Sequence, residues 1–257
     1  MNSEIYISNL NGALAAFSQI NLADMPNEVL MKRLDRKYAF HISRYPEIIG
    51  QLTDHYLLIN AEGLVISPYN SLYFDTPEKI FYQNHQRGFK NRIKIRYRSY
   101  PHTKTTFLET KFKNNKSFTT KERVLTDGMN WPFSVELKNF IKEQVPNHCP
   151  DALIPTARID YDRIGFIAKS GEERFSLDFN IRFSMGSRSS DFGNLAILEV
   201  KQEHFHSSPV VRRTRQLGLS EFSLSKYCMA MSALDPALKS NNFKTVFKKI
   251  QKINHVK

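Results

Sequence analysis

The stretch FKNRIKIRYRSY, residues 89–100, carries a cation at every second position: Arg92, Lys94, Arg96 and Arg98, with Ile93, Ile95 and Tyr97 between them. A β-strand sends successive side chains to opposite faces. This strand is therefore apolar on one face and bears four positive charges on the other. Few arrangements tolerate such a strand, and the fold must either leave the charged face in water or supply something to neutralise it.

The pattern recurs along the chain. In TFLETKFK (106–113), Glu109, Lys111 and Lys113 oppose Leu108 and Phe112. Lys121 and Arg123 share a face in the next strand, and Arg158, Asp160 and Asp162 oppose Ile159 and Tyr161. In RFSLDFNIRF (174–183), Arg174, Ser176, Asp178, Asn180 and Arg182 alternate with five apolar residues, and in LAILEVKQ (195–202) Glu199 and Lys201 oppose Leu198 and Val200. A solvated sheet face is the common explanation of alternation. Here, however, Arg and Lys recur on strand after strand with only a few carboxylates among them. Two like charges ~5 Å apart at an effective dielectric of ~20 cost about 3 kcal/mol. A fold that gathers several such pairs is expected to hold an anion. Were the sheet to close into a barrel, the charged faces would line its lumen and flanking helices would cover the apolar exterior. An eight-stranded barrel accommodates one small ligand, so double-stranded nucleic acid is too wide, whereas a thin chain such as a nucleoside triphosphate or inorganic polyphosphate fits. No GxxxxGK[ST] or GxGxxG motif is present, which leaves phosphate binding to side chains.

The bulk numbers agree. Lys plus Arg is 37 against 25 Asp plus Glu, a net charge of +12 with a pI near 9.6, which favours polyanionic partners. Cys149 and Cys228 are far apart and lack metal-site spacing, the N-terminal residues lack a basic leader with a long apolar run, and no stretch approaches ~18 apolar residues. The expectation is a cytoplasmic protein without a transmembrane segment.

The chain reads as a single domain over 1–257, with a core of about 31–235. Residues 46–59 have helical spacing after Pro46. Some seven or eight strands follow, mostly joined as hairpins, with Asn114-Asn115-Lys116 as one turn and a short helix at 134–144. Helices begin at Ser208-Pro209 and near Ser223. Residues 239–257 form a basic amphipathic helix with six Lys and no acid, expected to pack its apolar stripe on the body. The class is α+β: a closed antiparallel β-barrel of about eight strands with flanking helices.

The segments RLDRKYAF (33–40), SLYFDTP (71–77), KIRYRSY (94–100), FLETKFK (107–113), Lys121-Glu122-Arg123, ARIDYDRIGF (157–166), RFSLDFNIRF (174–183), LAILEVKQ (195–202) and FSLSKY (222–227) stand in this order. In this the chain resembles the triphosphate tunnel metalloenzyme superfamily, and within it the VTC domain, the polyphosphate-polymerase domain of the vacuolar transporter chaperone complex. The resemblance implies a tunnel that binds ATP and inorganic polyphosphate or triphosphate, with Lys37, Arg96, Arg98, Lys111, Lys121, Arg158, Arg174 and Lys226 as its catalytic cations. It implies Glu199 as the carboxylate that holds Mn²⁺ or Mg²⁺, with Glu109 and Asp178 as further metal or water contacts. Lys94, Lys201, Ser225 and Arg87 are candidate substrate-binding residues. Hydrolase branches of the superfamily carry Glu-x-Glu-x-Lys at the start, where this chain has Arg33-Leu34-Asp35-Arg36-Lys37. The loss of the first carboxylate favours polymerase over a two-metal triphosphatase. The alternatives are a triphosphatase on the same fold and a non-catalytic polyphosphate- or RNA-binding module.

Overall fold

A computed structural model describes residues 9–25, 34–114 and 119–255. Residues 9–14 are helical (α1), followed by β1 (Gln19–Asn21), β2 (Leu34–His41), α2 (Tyr45–Ile49), β3 (Tyr56–Asn60), β4 (Ser67–Asp75) and α3 (Ile80–Gln86). Three strands succeed one another as β5 (Arg92–Tyr100), β6 (Thr105–Lys113) and β7 (Thr119–Thr126), and α4 (Val135–Gln144) closes that half. The second half runs β8 (Ile154–Ala168), β9 (Glu173–Met185), β10 (Arg188–Asp191), β11 (Leu195–Gln202), α5 (Pro209–Gln216), α6 (Lys226–Leu234) and α7 (Lys244–Asn254).

All the strands belong to one sheet. Its main path is β2-β11-β9-β8-β4-β5-β6-β7, antiparallel throughout, with β10 paired to β9 and β3 to β8, and β1 parallel to β3. The expected closed barrel of about eight strands is thus corrected to an eleven-stranded sheet in which, among the described residues, the end strands β2 and β7 do not pair with each other, β2 being bridged on its far side by Glu221 and Phe222. The sheet nevertheless curls. Lys111 on β6 lies in the electrostatic field of Asp35, Glu199 and Lys37 on β2 and β11, at the other end of the path. Consecutive residues at the start of α6 also reach separate strands: Ser225 Oγ accepts from Lys94 Nζ of β5 at 3.0 Å, and Lys226 bonds Asp178 of β9.

The alternation sorts the faces. Outward-facing Tyr38, Phe40, Leu198, Val200, Phe175, Leu177 and Phe166 pack with α1, α2 and α5. Outward-facing Ile95, Tyr97, Leu108 and Phe74 pack with Phe81 of α3 and Ile141 of α4. Helices therefore cover the apolar exterior. A third core lies on the inner face, where Ile159, Tyr161, Ile181, Phe183 and Ile197 meet α6 and the apolar stripe of α7.

The predicted helix over 46–59 is shorter than expected. It stops at Ile49, and Tyr56–Asn60 is strand. Tyr56 is needed in that extended segment, where its ring packs edge-on against Phe175 at 4.9 Å and its hydroxyl bonds buried Glu173. Asn114 of the expected hairpin turn is described, whereas Asn115 and Lys116 lie outside the described residues, as does Arg33. Among the described residues no helix is long and apolar enough to cross a membrane.

One irregularity decides which charges point inward. The β8–β9 register slips between Asp160/Arg182 and Asp162/Phe179, leaving one extra residue on β9. Asn180, at φ 50°, sits there in the left-handed region, and its Nδ2 donates to Asp162 Oδ2 at 2.8 Å. Such a bulge reverses the side-chain phase of the strand beyond it. Arg174, Ser176 and Asp178 stay on the inner face, and Arg182 is turned out beside Asp160. An L-residue in this conformation costs roughly 1–2 kcal/mol, least for Gly and Asn. Asn180→Gly is expected to leave urea stability nearly unchanged, whereas Asn180→Val should lose about 2 kcal/mol. Equal stability of the two variants in a urea titration would show that the bulge does not depend on this residue's backbone freedom.

Candidate functional site

The inner face beyond α6 carries two carboxylate-centred clusters. Glu109 of β6, 2 % exposed, centres the first. Arg96 donates to its Oε2 from Nε at 2.8 Å and Nη2 at 2.7 Å, Lys121 Nζ lies 2.8 Å from Oε1, and Arg98 Nε is 3.7 Å away. Cross-strand register brings them together: Arg96 opposes Glu109, and Lys121 opposes Lys111 one inward position along. Burial alone would raise the Glu109 pKa, but Arg96, Arg98 and Lys121 outweigh it and hold the carboxyl well below the usual range.

Asp178 of β9, fully buried, centres the second. Arg163 Nε and Nη2 donate to its two oxygens at 2.5 and 2.7 Å, a bidentate fork, and Lys226 donates to Oδ2. Burial pushes Asp178 up, and Arg163 and Lys226 pull it down to about 2. Glu199 on β11 adjoins this cluster, with Lys37 at 3.1 Å, Arg163 at 3.8 Å and Lys201 at 3.9 Å. Burial is again outweighed, here by Lys201, Lys37, Arg163 and Lys226. Arg174 lies in register with Lys201.

Aromatic rings join the two clusters. The guanidinium carbons of Arg98 and Arg163 each lie 5.1 Å from the centroid of Tyr69. Tyr69 stacks on Tyr161 at 5.2 Å, and Lys226 Nζ stands 4.5 Å from the Tyr161 ring. Arg96 Nη1 donates to the Tyr73 hydroxyl at 2.6 Å, and Tyr73 stacks on Tyr227. A ring face attracts a cation by about 0.5–2 kcal/mol, so the aromatics offset part of the repulsion between neighbouring guanidiniums.

Positive charge remains in excess. Lys94, Lys111 and Lys121 stand side by side across β5, β6 and β7. Lys121 has Glu109, while among the described residues the hydrogen-bond partner of Lys94 is the Ser225 hydroxyl. Among the described residues no carboxylate lies within salt-bridge distance of Lys111. Burial lowers the Lys94 pKa, and burial together with Lys94 and Lys37 brings Lys111 down to about 8. The buried hydroxyls of Ser71 and Ser176, on the same face by strand parity, have no protein hydrogen-bond partner.

Of the residues expected from sequence, Lys37, Lys94, Arg96, Arg98, Lys111, Lys121, Arg174, Lys201, Ser225, Lys226, Glu109, Asp178 and Glu199 meet on this face. Arg158 does not. It is exposed on the opposite face, paired in register with Leu72 and close to Asp160 and Arg182. The inner cation of β8 is Arg163, which the sequence reading missed. Arg87 ends α3 at the surface, 3.1 Å from Gln83 Oε1. The resemblance implies Arg158, whereas α6 covers the inner face at that end of β8 and the apolar residues Ile159 and Tyr161 point in there.

Among the described residues no three His, Cys, Asp or Glu side chains converge as a metal cage. Asp178 and Glu199 both contact Arg163 from neighbouring strands and are hard oxygen donors. Mg²⁺ and Mn²⁺ are commonly held by one or two carboxylates plus substrate phosphates. Glu199, with Asp178 beside it, is the carboxylate that could hold an ion arriving with phosphate; among the described residues the donors do not form a stand-alone cation site. Glu109 lies in the separate cluster.

The family model for the VTC domain matches residues 32–235. The chain belongs to the VTC domain family. The matched span holds every residue of both clusters. No sequence among the curated proteins matches the chain. Solved structures similar to it include a proposed adenylate cyclase from Bacillus halodurans, at 12 % identity and TM-score 0.48 over 76 % of this chain and 94 % of that one. HpAC1 from Hippeastrum, a proposed adenylyl cyclase with a dominant triphosphatase activity, is 12 % identical at TM-score 0.45, over 78 % and 96 %. The PH1819 protein from Pyrococcus horikoshii OT3 is 11 % identical at TM-score 0.44, over 78 % and 99 %. At these values the likeness carries no inference about activity.

Two outcomes follow from the charges of this VTC domain. Asp178 is held below its ordinary 3.8, so its contribution to stability is present above about pH 4 and lost as pH falls towards 2. Asp178→Asn should cost about 3 kcal/mol in urea unfolding, because Arg163 and Lys226 lose their shared partner; a loss below 1 kcal/mol would show that Glu199 suffices. Lys111 has the opposite sign. With its folded pKa lowered from 10.5 to about 8, its effect on stability becomes more favourable as pH rises between those values. An anion that restores its charge must draw a proton. Triphosphate affinity should therefore fall by up to ~10-fold per pH unit above pH 8, with proton uptake visible as buffer-dependent calorimetric enthalpy, and Lys111→Arg should flatten that part of the profile.

Proposed function

We propose that this VTC domain binds the triphosphate of ATP on its curled cationic face and transfers the γ-phosphoryl to the end of an inorganic polyphosphate chain. The observation that carries this reading is the excess of cations left after the carboxylates of the two clusters are ion-paired, above all the adjacent half-buried pair Lys94 and Lys111. A triphosphate or polyphosphate is thin and dense enough in charge to offset that excess.

Phosphoryl transfer asks for in-line alignment and for stabilisation of charge on the transferred group. Arg96, Arg98 and Arg163 offer planar forks for phosphate oxygens, held by Glu109, Asp178 and Tyr69 rather than by the ligand alone. Lys37, Lys94, Lys111, Lys121, Lys201 and Lys226 act as point charges along the chain, and Arg174 continues the row. A terminal phosphate oxygen of the acceptor attacks Pγ, the bond from Pγ to the β,γ-bridging oxygen breaks, and ADP leaves with that electron pair. Mg²⁺ or Mn²⁺, brought in with ATP and held by Glu199 and Asp178, would neutralise charge on phosphate oxygens.

The acceptor argument favours a phosphate over water. Glu109, Asp178 and Glu199 all have depressed pKa values and are paired with cations, so none is a good base for deprotonating water. A polyphosphate end is already ionised and needs no such base. Incubation with ATP and Mn²⁺ followed by gel sizing is expected to give a ladder of long chains. Arg96→Ala and Arg163→Ala should each lower the rate at least ~100-fold, as expected for loss of a transition-state contact, while Arg158→Ala and Arg87→Ala stay within about twofold. Orthophosphate as sole product would assign a triphosphatase instead. Full activity in both Arg96→Ala and Arg163→Ala would remove the cationic face from the reaction.

A further inference from the structure

The C-terminal helix α7 has a face that the packing does not use. Ile250 is buried, and Phe243, Val246, Phe247 and Ile253 pack against the core under α6. Asn254 locks the far end, donating to Phe192 O at 3.0 Å and accepting from Asn194 N at 3.0 Å. Lys249 is engaged too, 3.0 Å from Ser220 Oγ and 4.6 Å from the Phe222 ring centroid. What is left outside is Lys244, Lys248 and Lys252, all exposed, with Gln251 and His255 beside them.

These three lysines recur at i, i+4 and i+8, so they form a single row of ~12 Å along the helix. Like charges at i, i+4 destabilise a helix by a few tenths of a kcal/mol. Lys244 also stands in the first turn, where the helix dipole disfavours a cation and no acidic residue compensates. None of the three makes a salt bridge among the described residues. The row is an electrostatic cost to the helix that nothing within the described fold offsets.

We propose that this row is a docking surface for the inorganic polyphosphate chain outside the curled face, an inference that rests on the proposed function for the identity of the polyanion. The chemistry of the face selects the partner. A helix that lies in a membrane buries its apolar stripe in lipid, and the stripe of α7 is already spent on the core. Single-stranded nucleic acid is held by cations together with exposed aromatic rings, and the exposed face of α7 carries no Phe, Tyr or Trp. A polymer of phosphate alone needs only a line of cations. Bound there, a long chain is held by the same molecule that processes its end, which raises the local concentration of that end.

The test compares the full chain with the triple variant Lys244→Gln/Lys248→Gln/Lys252→Gln, using long-chain polyphosphate and triphosphate as probes, and single-stranded RNA and phosphatidylserine vesicles as rivals. Gln keeps good helix propensity, and an unchanged melting temperature confirms folding. The triple variant is expected to bind long-chain polyphosphate about tenfold more weakly at 0.1 M salt, with a log–log salt slope shallower by about 2, while triphosphate affinity stays the same. Unchanged long-chain affinity and slope would overturn the proposal, as would RNA or vesicles binding tighter than polyphosphate with the same sensitivity to the triple substitution. Failure of the proposed function is read separately. Triphosphate that does not bind the unsubstituted chain removes the inner site, whatever the salt slope says of α7.

Discussion

Asp178 has no exposed surface, yet it touches two cations that come from distant parts of the chain: Arg163 on the neighbouring strand β8 and Lys226 at the start of α6. Much of the architecture rests on this contact. The first turn of α6 sits above a face crowded with positive charge, and a lysine there is repelled by the neighbouring cations and held by Asp178, Glu199 and the Tyr161 ring. With Lys226 tied down, Tyr227, Met229, Ala230 and Met231 follow into the core beneath, and Ser225 reaches across to Lys94 of β5. One carboxylate thereby couples the charged half of the inner face to its apolar half.

Glu109 plays the corresponding part on β5, β6 and β7, with a difference in surplus. Its neighbours Arg96, Arg98 and Lys121 share a single carboxylate, so neutralisation is incomplete even where an acid is present. Tyr69 and Tyr73 take up some of the remainder, the first by offering a ring to Arg98 and Arg163, the second by accepting a hydrogen bond from Arg96. Guanidiniums suit this better than ammoniums would, because a planar, weakly hydrated cation can stack and fork at once. Burial lowers the pKa of Lys94 and Lys111, which lack such support, and also that of Lys121 in spite of its contact with Glu109.

Where strands alternate cleanly and helices cover one face, the pattern in the chain is the pattern in the fold. Ile93, Ile95 and Tyr97 pack outward and Lys94, Arg96 and Arg98 inward, because only one face of β5 can be solvated or ligand-bound. The alternation on β8 is just as clear, yet Arg158, the arginine that the resemblance implies there, lies on the opposite face. Arg158, Asp160 and Asp162 alternate with Ile159 and Tyr161, but α6 covers the inner face there, so the polar residues of that segment face out. Arg163, in phase with Tyr161, was legible only to a reader who knew where α6 would lie. The bulge at Asn180 could not be read either, since an Asn in an alternating strand carries no mark of a positive φ. The open edge between β2 and β7 has a similar origin: strand number and polarity are local properties, whereas closure depends on the summed twist and shear of the whole sheet.

That open edge bears on the electrostatics of the site. Lys111 on β6 faces charges of both signs across the gap between the two edges, attracted by Asp35 and Glu199 and repelled by Lys37. β7 itself, with Lys121, Glu122 and Arg123 all exposed, has the charged surface by which edge strands avoid pairing with other chains. Under the proposed reading, a phosphate chain entering this space draws Lys37 and Lys111 towards the same anion. Binding and narrowing of the curl are then coupled, and by linkage any condition that strips charge from Lys111 weakens both together.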